Sequence, residues 1–204
     1  MQYIETKAQL REVYGQAWPD AIRKQMRQLD RHARRFLELS PMVMIGSQDA
    51  QGRADVTPRG DKPGFVLPLD DRRIALPDRP GNNRLDTFEN ILDDPTVGLL
   101  FLIPGVNETL RINGAGRITA DADLCARFSI NENPARSVLI VEIQEVFLHC
   151  AKAFLRSGFW AHEHWPHRSE LPTLGEMVRD QLDIDAPAAD LDAALAEAYK
   201  TTLW

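Results

Sequence analysis

The sequence predicts a mainly β fold, a mostly antiparallel β-barrel with flanking helices, and two observations carry that prediction. Six β-rich runs, at 42–48, 53–57, 73–76, 97–103, 110–119 and 137–148, are separated by clusters of Gly, Pro and Asn. Only two short helical patterns, 83–92 and 121–128, lie between them. Such connections suit antiparallel pairing better than a repeated βαβ sheet.

The elements follow in chain order. Over 19–39, apolar Ile22, Met26, Leu29, Ala33, Phe36 and Leu37 recur at helical spacing, with Arg23, Arg27, Arg31 and Arg34 on another face. This predicts one amphipathic helix whose basic stripe, diluted by Asp30 and Glu38, is a solvated face. Ser40-Pro41 ends it, and Asp49-Ala-Gln-Gly52 turns the first strand into the second as a hairpin. The segment 76–87 then joins an extended run to a helix start. Pro80-Gly81 fits the centre of a type II turn, with Gly81 supplying the positive φ. Asn82, Asn83 and Thr87 donate hydrogen bonds while Arg79 and Arg84 bring charge, so the segment reads either as a solvated turn capping a helix or as an anion site at a helix N-terminus. Beyond residue 150 the pattern becomes helical at 151–155, irregular at 160–167, and helical again after the capping box Thr173-Leu-Gly-Glu176 and over the Ala-rich 188–201. The expected organisation is a helical segment over 1–40 packed on the barrel, the barrel over 41–160, and a helical appendage over 161–204, one structural domain overall.

Composition excludes several function classes. With 44% hydrophobic and 26% charged positions in 204 residues, the chain affords one sizeable core. A formal charge of −6 argues against a general nucleic-acid binder. No stretch approaches the ~20 apolar residues of a membrane span, and the first residues lack a charged leader with an apolar core, so the expectation is a cytoplasmic protein without a membrane partner. Cys125 and Cys150 read as two buried thiols rather than a bridge. His162, His164 and His167 lack a fourth ligand and flank Pro166, so no metal site is assigned. Arg59-Gly-Asp61 reads as a pocket-forming turn rather than an adhesion signal. Neither a Walker lysine nor a Rossmann glycine fingerprint is present.

Six motifs occur in fixed order: Thr57-Pro-Arg-Gly-Asp61, Pro63-Gly-Phe65, the 77–84 run PDRPGNNR, the 94–105 run DPTVGLLFLIPG, Glu108-Thr-Leu-Arg-Ile-Asn-Gly114 and Phe147-Leu-His-Cys-Ala-Lys152. Together, over roughly 5–185, they resemble the pyridoxamine 5′-phosphate oxidase-like FMN-binding split-barrel superfamily, and within it a bacterial FMN-binding branch. The resemblance implies a six-stranded antiparallel split barrel of Greek-key type, working as a homodimer with FMN sites across the subunit interface. FMN needs cations and donors for its phosphate and an apolar platform for its ring.

On the matching positions, Arg59, Arg79 and Arg84 are the implied phosphate ligands, with Asn82, Asn83 and Thr87 donating beside them. Arg84 is the foremost of these, because it stands next to the predicted helix start. Thr57 and Pro58 pass the flavin by backbone or hydroxyl contact, and Thr109 approaches the edge of the isoalloxazine. Lys152 either tunes the flavin as a nearby cation or simply meets a carboxylate or solvent; His149 reads as structural or as an acid–base group. In the authentic oxidases an Arg-Lys pair follows the equivalent strand, where this chain has Asp86-Thr87. That departure moves the phosphate clamp to the side of Arg84, Asn82 and Asn83, and it speaks against pyridoxamine phosphate oxidation itself. The implied activity is an FMN-dependent oxidoreductase acting on a small-molecule redox substrate, with no side chain assigned to catalysis. The alternatives are a non-catalytic flavin carrier or sensor, and a haem- or deazaflavin-binding relative.

Overall fold

The structure of the chain, a computed structural model, describes residues 1–203. Seven strands form one antiparallel sheet: β1 (Met42–Gln48), β2 (Ala54–Gly60), β3 (Leu67–Pro68), β4 (Arg73–Pro77), β5 (Thr96–Leu102), β6 (Thr109–Thr119) and β7 (Val138–His149). Their order is β2-β1-β5-β6-β7-β4-β3. Six are the runs that the pattern predicts. The seventh, β3, is two residues long and too short to show any period, and β2 continues past Thr57 to Gly60.

Period-2 alternation explains the inner face. On β1, Val43, Ile45 and Ser47 are buried while Met44, Gly46 and Gln48 are only partly covered. Val43 and Ile45 share one apolar cluster with Leu99 and Phe101 of β5, Ile112 of β6, Val141 of β7 and Ile74 of β4. β1 and β4 stand four places apart in the sheet order, so only a strongly rolled sheet brings their side chains together. The roll does not close: β2 and β3 end the sheet and share no ladder. This is the split barrel.

Among the described residues eight α-helices flank it: α1 (Lys7–Tyr14), α2 (Pro19–Arg23), α3 (Arg31–Leu39), α4 (Asp86–Asp93), α5 (Ala122–Ala126), α6 (Lys152–Ser157), α7 (Leu174–Leu182) and α8 (Ala188–Thr202). The single helix predicted over 19–39 is broken. Met26 exchanges both backbone hydrogen bonds with Val146, at 2.9 and 2.8 Å, and Leu29 donates to the Asp71 carbonyl at 2.8 Å. The chain thereby covers the edge of β7 beyond the last rung of β4, Arg73 opposite Glu142, and satisfying that edge wins over helix propensity. A new helix starts only where Asp30 accepts from the Ala33 amide at 2.7 Å. Ala33, Phe36 and Leu37 of α3 enter the core, whereas α1 and α2 bury no residue. The predicted capping box opens α7, with Thr173 Oγ1 accepting from the Glu176 amide at 3.1 Å and Glu176 accepting from the Thr173 amide at 2.7 Å.

Two ion pairs of opposite sense cross the split. Arg59, at the end of β2, faces Asp78 just beyond β4 at 3.7 Å, and Asp61 accepts from Arg79 Nε at 2.7 Å. The Asp61 side chain is 2% exposed, and Arg79 also donates to the Phe128 carbonyl at 2.8 Å. Removing one member of a buried pair leaves the other charge unpaired, at a cost of roughly 3–5 kcal/mol. Asp61→Ala is therefore expected to lower the unfolding free energy by about 3 kcal/mol or more, measured as the shift of the urea midpoint at unchanged slope. A loss below ~1 kcal/mol would place the pair among weakly coupled surface charges.

Candidate functional site

Next to the split lies a polar cleft of about 170 Å³, lined by residues of β2 and by the 78–87 segment. Thr57, Arg59, Arg79, Asn82, Asn83, Arg84 and Thr87 all face it, so seven of the ten predicted site residues meet in one place. The turn differs from the predicted type II form. The positive φ angles belong to Asn83 at 57° and Leu85 at 60°, and not to Gly81. Asn82 Oδ1 accepts from the Arg84 amide at 3.1 Å, an Asx turn that holds the chain in this shape without glycine. Leu85 is the N-cap of α4 and offers no side-chain oxygen. Among the described residues the amides of Asp86 and Thr87 therefore have no acceptor, and the helix N-terminus opens toward the cleft.

Three carboxylates share this cleft with the three guanidinium groups: Asp55, Asp78 and Asp86. Arg84 bonds Asp86 at 2.9 Å, Thr87 Oγ1 donates to Asp55 at 3.3 Å, and Arg79 is committed to Asp61. Burial pushes the Asp78 carboxyl upward, against the pull of Arg59, Arg136 and Arg79. Magnitudes decide what an arriving phosphate would meet. Arg84 and Asp86 are 73% and 43% exposed, and such a pair contributes about 0–1 kcal/mol. A charged hydrogen bond from guanidinium to phosphate contributes roughly 1.5–3 kcal/mol. Arg84 is thus free to change partners, and Arg59, 3.7 Å from its carboxylate, is loosely held. Arg79 is not.

Beyond the cleft lies a larger cavity of about 610 Å³ on the outer face of β1, β2, β5 and β6. Val56, 69% exposed, lines both spaces. Register explains the floor. Val56, Gly46, Gly98 and Asn113 form one rung across the four strands, and Pro58, Met44, Leu100 and Arg111 form the next. Gly46 and Gly98 omit two adjacent side chains, and a Cβ on either would meet only ordinary contacts, the nearest at 3.7 and 3.5 Å. The floor is therefore flat by the absence of side chains and not by steric demand. Thr109 and Lys152 border the cavity, and Pro58 stands beside Met44 at its β2 edge.

At the far end stand His149, Cys150 and Arg111. Arg111 lies over the Phe147 ring at 4.3 Å, reaches Glu145 at 3.3 Å, and keeps its buried Nε without a partner among the described residues. Partial burial, helped by the charges of Arg111 and Lys24, holds the His149 imidazole below its ordinary value, which favours its neutral form. The Lys152 amide, and then its charge, draw the Cys150 thiol, exposed rather than buried as predicted, downward. Of the histidines in the 162–167 segment, His162 packs on the Trp165 ring and His167 pairs with Ser169. Among the described residues no group of three or more His, Cys, Asp and Glu side chains is placed to hold a metal.

The profile described as pyridoxamine 5′-phosphate oxidase matches residues 29–150, more than half of the chain. The chain belongs to this family. Members of the pyridoxamine 5′-phosphate oxidase family generally bind a flavin. Solved structures similar to this chain include HupZ from Group A Streptococcus, with 14% identity, a TM-score of 0.49, and coverage of 59% of this chain and 93% of that one. Another is a protein from Clostridium acetobutylicum related to general stress protein 26 of B. subtilis, at 15% identity, TM-score 0.45, and coverage of 58% and 85%. A third is an F420 reductase, at 16% identity, TM-score 0.42, and coverage of 59% and 98%. No curated protein matches the sequence.

The family segment begins at Leu29, where the core begins, and ends at Cys150, where β7 has just ended. It is narrower than the 5–185 span of the motif resemblance, and α6 with its Lys152 lies outside it. Reading by motif missed Gly46, Val56, Gly98, Arg111 and Asn113. Strand parity held the signal, since Thr109, Arg111 and Asn113 alternate on one face of β6 up to the bulge between Asn113 and Gly114. One consequence is testable in the thiols. Iodoacetamide is expected to modify Cys150 first, at a rate whose pH midpoint lies below that of an ordinary cysteine, while buried Cys125 reacts only on unfolding. Peptide mass mapping reads both sites, and faster labelling of Cys125 would contradict this placement.

Proposed function

We propose that the chain binds FMN with its phosphate in the cleft at the split and its ring on the outer face, and that it works as an FMN-dependent oxidoreductase. One observation carries the reading: a donor-lined cleft at an open helix N-terminus shares Val56 with a flat apolar floor. Arg59, Arg84, Asn82, Asn83, Thr87 and the first amides of α4 suit a phosphate, with Arg79 holding the wall behind them. Thr57 and Pro58 lie along the connecting strand, Thr109 at the ring's edge, and Lys152 supplies a cation beside it. FMN, when bound, supplies reversible two-electron transfer. The protein's own part is to hold the ring flat, to exclude water from its covered face, and to set the charge around it. No side chain is assigned a catalytic step.

The exposed apolar floor is also the face that a second copy would cover, as the proposed homodimer requires. A cytoplasmic setting and a small-molecule redox substrate belong to the same proposal; among the described residues no helix is long and apolar enough to cross a membrane. A second reading, haem in the same cavity, has one observation behind it, the His149 imidazole at its wall, where the neutral form is favoured. The spectrum and mass of the extracted ligand separate the two.

Purified protein is expected to be yellow, to elute as a dimer, and to oxidise NADH or NADPH with steady turnover. A colourless protein that fails to take up added FMN overturns the reading, and bound flavin without turnover points instead to a carrier or sensor. Arg84→Ala should weaken FMN binding by roughly 1–3 kcal/mol, whereas Asp86→Asn, which removes the competing carboxylate, should hold or raise affinity. Fluorescence quenching of FMN measures both, and equal losses would remove Arg84 from the phosphate site. Gly98→Val should cost FMN affinity roughly tenfold or more, about 1.4 kcal/mol, with the melting temperature nearly unchanged. Retained affinity in that variant would move the ring off this floor.

A further inference from the structure

The charges of the two spaces are arranged differently. The cleft at the split balances three guanidinium groups with three carboxylates, but the large cavity is lined by Arg111, Lys152 and Arg156 and by no carboxylate. Acidic residues outnumber basic ones in the chain, 30 to 24, so a concave surface lined by three cations, of which only Arg111 has a carboxylate partner, Glu145 at 3.3 Å, runs against the composition. Lys152 and Arg156 are four residues apart on α6 and share one of its faces. Arg156 Nε donates to the Lys152 carbonyl at 3.1 Å, and neither side chain has a carboxylate partner among the described residues. The helix is fastened: Phe154 stacks on Trp160 at 5.9 Å, and Trp160 Nε1 donates to the Val106 carbonyl at 3.0 Å. Its cations are thus presented from an anchored support at the end of a flat apolar floor. A solvated surface lysine would need none of this.

We propose that this end of the cavity recognises the anionic group of a compact planar organic acid, whose apolar part lies beside Phe154 at the rung of Met44 and Leu100, next to the rung of Gly46 and Gly98 that the FMN reading gives to the ring. The guanidinium of Arg156 and the ammonium of Lys152 hold the carboxylate from one side, and Arg111, steadied on Phe147, faces it from the barrel wall. The net charge of −6 repels anions in general, so recognition is local and requires these groups. The identification of that acid as the redox substrate rests on the FMN reading; the anion site does not, because it is built from side chains alone.

The test is calorimetric titration with benzoate and with benzamide, its uncharged isostere, on FMN-loaded protein and on protein freed of flavin. Benzoate is expected to bind, benzamide at least about tenfold more weakly. Arg156→Gln should lower benzoate affinity about five- to tenfold, Arg156→Lys should restore part of it, and Arg35→Gln, on the remote face of α3, should leave it unchanged. No benzoate binding, equal binding of the two probes, or an equal loss in Arg35→Gln overturns the proposal. Flavin absorbance on the same samples reports separately. A colourless protein that still prefers benzoate keeps the anion site and refutes the flavin reading, and a yellow protein indifferent to benzoate does the reverse.

Discussion

The two ion pairs across the split are the constraint on which the rest of the structure depends. A rolled sheet that stops short of closing leaves two edges without a ladder, and unpaired edges slip or recruit other strands. Here Arg59 and Asp61 project from the end of β2 and meet Asp78 and Arg79 beyond β4. Because the charges alternate along both segments, a shift of the 77–79 backbone by two residues loses both pairs, and a shift by one sets like charge against like. The pairs therefore tie the two edges together across the split, where no ladder does, Asp61–Arg79 firmly and Arg59–Asp78 more loosely. They also fix the cleft, since the loop 80–87 starts at the residue that Asp61 holds.

The outer face shows what the fold does with the freedom so gained. An ordinary antiparallel sheet alternates apolar inside with polar outside. On β1 and β5 the outward positions are Met44, Gly46, Gly98 and Leu100, so both faces are apolar or bare. Exposing such a floor is unfavourable at about 25 cal/mol per Å² of apolar area, and its retention is understandable when something flat covers it. The glycines then have a purpose beyond permissive backbone: they set the depth of the floor without straining the strands, as the ordinary contacts that a Cβ would meet there show.

Much of this was legible in the sequence, and the failures share a cause. The six long strands and the residues of the cleft follow from local pattern, because alternation and turn chemistry act over a few residues. The helix over 19–39 did not survive, since its period is real but Met26 answers to a strand edge at Val146. No local signal contains that edge. The positive φ at Asn83 and Leu85 in place of Gly81 is similar: an Asx bond from Asn82 competes with the turn preference of Pro-Gly, and the competition is settled by where α4 must start. The cluster of arginines was readable, but not its neutralisation by Asp55, Asp78 and Asp86, which come from both sides of the split. Arg111 and Asn113 were recoverable from parity alone, once Thr109 had been chosen.

Charge balance finally separates the cleft from the cavity. In the cleft every guanidinium has a carboxylate within 4 Å, at distances from 2.7 to 3.7 Å. A weak anion gains little there, because it must displace a carboxylate that is already bound nearby at no cost in translational freedom. A phosphate differs in carrying a double charge and three acceptor oxygens, which engage guanidinium and helix amides together. Beneath α6, Lys152 and Arg156 have no carboxylate partner among the described residues and only Arg111 is paired, with Glu145 at 3.3 Å, so a singly charged group meets less competition. The same side-chain chemistry is thus selective in the cleft and receptive in the cavity, and the difference arises from the placement of aspartates rather than of arginines.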